Sequence, residues 1–83
     1  MIPPTDSIRK IIVVTEDVLG PMRNSLYIEL NDGSYVSLDE VKEMRRFVAG
    51  LEKDHPRLAA AVMEALSIVG DMCGERVFDV EAL

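Results

Sequence analysis

Cysteine and histidine are too scarce here to build a metal centre or a disulfide. Cys73 is the only cysteine and His55 the only histidine in the 83-residue chain. An internal disulfide is therefore excluded, as is a zinc site of Cys and His ligands. Aromatics are also few: there is no tryptophan, and there are two tyrosines and two phenylalanines. Aliphatic and methionine side chains must fill the core. No stretch approaches the roughly 18 to 20 apolar residues of a membrane span. The first six residues, Met1-Ile2-Pro3-Pro4-Thr5-Asp6, lack the basic region and apolar run of a secretory signal. With one cysteine and no such signal, the chain is expected in the cytoplasm.

Basic residues are outnumbered. Nine Lys and Arg face fifteen Asp and Glu, for a formal net charge of −6. Binding to nucleic acid requires Lys and Arg to displace condensed counterions, so direct contact with nucleic acid is not expected. An anionic membrane surface is disfavoured for the same reason. Motif chemistry is equally sparse. There is no P-loop, no G-x-G-x-x-G, no G-x-S-x-G and no calcium loop spacing in the sequence. No cofactor is expected, and no metal.

What is present is a pattern of strands followed by helices. Residues 1–7 read as a flexible arm, because Pro3-Pro4 cannot join a regular element and Thr5, Asp6 and Ser7 are polar. Residues 8–83 read as a single domain. Ile8 to Thr15, with the unbroken run Ile11-Ile12-Val13-Val14, reads as a strand covered on both faces. Its outer face could meet a second subunit. Glu16 to Ser25 contains Gly20-Pro21 and reads as a loop that would present Met22 and Arg23. Leu26, Ile28 and Leu30 alternate with Tyr27 and Glu29, and Asn31-Asp32-Gly33-Ser34 follows. Asp-Gly between alternating segments predicts a hairpin with a type I′ turn and a return strand from Tyr35.

Ser37 and Glu40 have the spacing of a capping box, with Val36 and Val41 as its staple. Leu38, Val41, Met44, Phe47, Val48 and Leu51 then form an apolar helical stripe. Asp54-His55-Pro56 marks a break. A second helix is predicted from Pro56 to Cys73, with Leu58, Val62, Ala65, Leu66, Val69 and Met72 inward, and Gly74 as its C-cap. Val77, Phe78 and Val80 suggest a short final strand. The expected fold is α+β: a small antiparallel sheet of three strands, or four with the last, packed on one face by a two-helix hairpin.

Each residue with chemical potential also has a plainer role. His55 could act in acid–base chemistry, but beside Pro56 it suits a helix start. Cys73 lies at a helix C-terminus, where the dipole raises rather than lowers a thiol pKa. Lys42, Arg45 and Arg46 share one helical side, which suits a solvated face as well as a contact patch.

Elimination therefore favours a small protein-interaction or regulatory module that is expected not to be an enzyme and to pair as a homodimer. Its candidate partner-binding residues are Met22, Arg23, Tyr27, Tyr35, Arg45 and Arg46, chosen because Tyr and Arg are enriched at interface hot spots. A second expectation is an acidic inhibitor of a nucleic-acid-binding complex, like anti-CRISPR proteins in size and charge alone. A third is a small-molecule or enzymatic site completed across a dimer.

Overall fold

The computed structural model describes residues 2–17, 22–67 and 74–80. Its fold is the expected α+β arrangement, with four strands. They are β1 (Ile8–Asp17), β2 (Met22–Leu30), β3 (Tyr35–Leu38) and β4 (Gly74–Asp79); the helices α1 (Val41–Asp54) and α2 (Pro56–Ser67) lie between β3 and β4. The sheet order is β3-β2-β1-β4, and every neighbouring pair is antiparallel. The helical hairpin thus carries the chain from one edge of the sheet to the other.

The β-branched run forms a central strand because both of its sides are paired. Ile11 stands opposite Ile28 on β2 and Phe78 on β4, and Val13 stands opposite Leu26 and Arg76. Successive residues on a strand point to opposite faces. Ile11 and Val13 face the helices, at 0% and 2% exposure, together with Leu26 and Ile28. Met44, Phe47, Val48 and Leu51 of α1 and Leu58, Ala59, Val62 and Ala65 of α2 complete this core. Small Ala59 sits within it, consistent with a close approach of the two helices. Asn24 links the layers: its Nδ2 donates to the Leu66 carbonyl at 2.9 Å, and its Oδ1 accepts from the Thr15 hydroxyl at 2.8 Å.

Several boundaries differ from the expectation. The predicted loop Glu16–Ser25 is mostly strand, since β1 continues to Asp17 and β2 begins at Met22, with Glu16 opposite Arg23. Pairing with a long partner overrides the polar character of these residues. The Gly20-Pro21 turn lies outside the described residues. The hairpin at Asn31-Asp32-Gly33 is a three-residue loop rather than a two-residue type I′ turn. The Gly33 N–H donates to the Leu30 carbonyl, the Leu30 N–H donates to the Ser34 carbonyl, and Gly33 takes φ +90°. This is the pattern of a turn followed by a bulge, in which glycine supplies the positive φ. Asp32 Oδ1 accepts from both the backbone N–H and the hydroxyl of Ser34, which holds the Asp32 carboxyl below its usual pKa.

The Ser37–Glu40 capping box does not form. β3 runs through Ser37 to Leu38, which pairs with Leu26 and is 1% exposed, so Leu38 belongs to the sheet side of the core rather than the helical stripe. The helix begins at Val41 with Glu40 as N-cap, and no side chain caps it. Val41 is 60% exposed and staples nothing into the core. At the helical break, the His55 N–H donates to the Leu51 carbonyl and the His55 carbonyl accepts from Ala59 N–H, so this residue ends one helix and starts the next. Gly74, expected as a C-cap, opens β4 opposite Thr15; residues 68–73 of the predicted second helix, with Val69, Met72 and Cys73, lie outside the described residues.

The segment expected as an arm is seated on the domain. Ile2 packs against the core and Pro3 is buried. Thr5–Ser7 forms a 3-10 turn in which Ser7 N–H and Oγ–H both donate to the Pro4 carbonyl. The Thr5 hydroxyl donates to Asp54 at 2.5 Å, and the Ser7 carbonyl accepts from Asn31 N–H. Proline's lack of an N–H keeps this segment out of the sheet without keeping it off the surface.

Candidate protein-interaction face

The helices cover one face of the sheet, and the other carries no element of the described chain. Period-2 alternation sends Lys10, Ile12, Val14 and Glu16 of β1 to this outer face. Register then fixes who stands beside whom. Ile12 is flanked by Tyr27 on β2 and Val77 on β4; beyond Tyr27 lies Ser37 on β3. Ile12 and Val14 are half-buried, while Tyr27 is 38% and Val77 56% exposed. Cross-strand neighbours lie close enough for their side chains to touch. The outer face therefore has a contiguous apolar centre: Tyr27, Ile12, Val77 and Val14.

One end of this centre is bounded by a polar network. Arg9 Nε donates to Glu29 Oε2 at 2.8 Å, and the Tyr35 hydroxyl donates to Glu29 Oε1 at 2.7 Å. A bulge makes the network possible. Ile8 pairs with Leu30 and Lys10 with Glu29, which leaves Arg9 as the extra residue between them. An inserted residue re-aims its side chain, and both Arg9 and Lys10 come to act on one carboxylate. Chiefly the Arg9 hydrogen bond, and then that of Tyr35, hold the Glu29 carboxyl down to about 2 from its ordinary 4.5. Reciprocally, Glu29 raises the pKa of Arg9 and of the Tyr35 phenol. Glu29 is 8% exposed, and the nearby charges of Arg9 and Lys10 favour its anion.

The six residues proposed from sequence do not form one surface. Tyr27 and Tyr35 share the outer face. Met22 and Arg23 open β2 opposite Asp17 and Glu16 instead of standing in a projecting loop. Arg45 and Arg46 are exposed on α1, on the helical side of the molecule. Arg45 there lines a groove of about 230 Å³ with Asn24, Val41, Met44, Met63 and Leu66. The sequence pointed to the outer face of the Ile11–Val14 run, which carries Ile12 and Val14, but not to Arg9 or Val77. Alternation along β1 signals the outward position of Ile12 and Val14, but the pairing of Val77 beside Ile12 depends on strand order, and the role of Arg9 on a bulge.

Among the described residues, no group of three or more His, Cys, Asp and Glu side chains is placed to hold a metal ion. No helix among them is long and apolar enough to cross a membrane. The chain matches no protein-family model, no curated protein and no solved structure.

Proposed function

We propose that the chain is a non-catalytic protein-interaction or regulatory module of the cytoplasm, and that it binds through the outer face of its sheet. The observation that carries this reading is the apolar row Tyr27-Ile12-Val77 on a face that no helix of the described residues covers. A half-exposed apolar centre with polar residues around it is the surface expected of a recognition site. The Arg9–Glu29–Tyr35 network beside it fixes a tyrosine ring in place, which lowers the entropy lost when a partner docks. The acidic-inhibitor reading rests on the net charge, and the small-molecule reading on the groove beside Arg45.

The test compares two variants of the tagged protein in capture from cell lysate. Ile12→Lys disrupts the outer face, and the double variant Arg45→Glu with Arg46→Glu reverses the charge on α1. Both substituted sites are solvent-accessible, so urea midpoints should stay near wild type. The reading predicts that Ile12→Lys loses the captured protein and the α1 variant retains it. Loss with the α1 variant alone would move the binding surface to the helices and contradict the reading.

A further inference from the structure

The charges at the two ends of β1 suit one particular occupant of the outer face. On that face β1 reads Lys10, Ile12, Val14, Glu16: a cation, two β-branched apolar residues and an anion, at every second position. Such a stripe is its own complement when it is reversed. Turning a second stripe end for end lays cation on anion at both ends and apolar on apolar between.

We propose that a second copy of this chain docks on the outer face, β1 over β1 in opposite directions. The two-fold axis lies between the two sheets and crosses β1 between Ile12 and Val14. Lys10 of each copy then stands over Glu16 of the other, and Ile12 over Val14. This proposal rests on the reading above, in which the outer face is the binding surface, and adds what binds there.

Three further observations favour this arrangement. Another in-plane two-fold, running along the strands, would lay Lys10 over Glu29. Glu29 is buried and already accepts from Arg9 and Tyr35, whereas Glu16 is exposed. Second, facing sheets pack about 10 Å apart with their strands within roughly 30° of each other, so that the central strands overlie best and the edges diverge. β1 is a central strand, and its stripe occupies the region of closest overlap. Third, the extent suits a weak, reversible dimer. Four strands about 4.8 Å apart, over some seven residues of about 3.3 Å each, give a footprint of roughly 400 Å² per copy before side-chain relief. Over both copies this is about 800 Å², below the roughly 1,000 Å² of a stable interface, and it predicts a weak dimer that dissociates on dilution.

The experiment is sedimentation equilibrium over a range of concentrations with the full chain. The variants are Lys10→Glu, Glu16→Lys, the double variant carrying both, and Ile12→Lys. Wild type should show a monomer–dimer equilibrium. Each single charge reversal places like charges together at two symmetric positions and should raise the dissociation constant at least about tenfold. The double variant should recover most of that loss, and Ile12→Lys should be monomeric. Glu16 makes no contact with the Glu29 network, so Glu16→Lys remains decisive if Lys10→Glu lowers the urea midpoint. A wild-type chain that stays monomeric up to about 1 mM overturns self-docking. The lysate capture then decides separately whether the face binds another protein. A wild-type dimer that survives Ile12→Lys, as pairing through the β4 edge would, overturns self-docking and the outer-face reading together.

Discussion

Ile11 and Ile12 are the same residue type, adjacent in one strand, and the fold uses them in opposite ways. Ile11 is 0% exposed beneath the helices, while Ile12 is half-buried on the uncovered face between Tyr27 and Val77. Val13 and Val14 repeat the contrast. A strand with β-branched residues on only one side serves to make a core. One with them on both sides, in a sheet that the described residues cover on only one side, leaves apolar surface for something else. The inner face is apolar from strand to strand, whereas the outer face sets the apolar centre of Ile12, Val14, Tyr27 and Val77 among charged residues such as Lys10, Glu16 and Glu29.

The sharpest way to break this comparison is to truncate the two isoleucines separately. Ile11→Ala opens a cavity in a filled core and should cost about 2–5 kcal/mol. Ile12→Ala, measured at a concentration where the chain is monomeric, should cost less than about 1 kcal/mol. Urea denaturation of both variants gives the answer, and equal losses would mean that the outer face is part of the monomer's core.

A smaller effect concerns acid. Glu29 titrates at about 2 when folded and near 4.5 when free. Because its folded pKa is depressed, the stability it contributes is fully present above 4.5 and is lost as the pH falls from there towards 2. The wild-type urea midpoint should decline across that window, and Glu29→Gln should decline less. Parallel declines would show that the Arg9–Glu29–Tyr35 network does not hold in solution.

The smallest effect sharpens the boundary between sheet and helix. Glu40 has the extended backbone of an N-cap, φ −94° and ψ 136°, but makes no capping hydrogen bond. Glu40→Ser should raise stability by about 0.5–1 kcal/mol, seen as a higher thermal midpoint. Ser37→Ala should leave the midpoint near wild type, whereas a capping-box role for Ser37 would lower it.

Much of the fold was legible in the sequence because its signals are local. The hairpin at Asp32-Gly33, the helical stripe from Met44 to Leu51 and the break at His55-Pro56 each follow from residues within one turn or one strand pair. Ser37 misled because its spacing to Glu40 satisfies a local rule, but the ladder of the same hairpin continues through Ser37 to Leu38, opposite Leu26, and wins. The candidate site was legible only in part. Tyr27 and Tyr35 were placed by alternation. Arg45 and Arg46 were grouped with them by residue type, and only the packing of the helices puts them on the other side of the molecule. Val77 beside Ile12 and the bulge at Arg9 depend on register, which no single segment encodes.

Tyr27 and Tyr35 are the only tyrosines, there is no tryptophan, and both rings lie on the outer face. Intrinsic tyrosine fluorescence therefore reports on that face alone. The most direct measurement is acrylamide quenching of this emission across the concentration range in which sedimentation shows association. The account predicts that quenching falls as the chain associates, and that Tyr27→Phe removes more of this change than Tyr35→Phe. Tyrosines quenched as readily in the associated species as in the dilute one would contradict it.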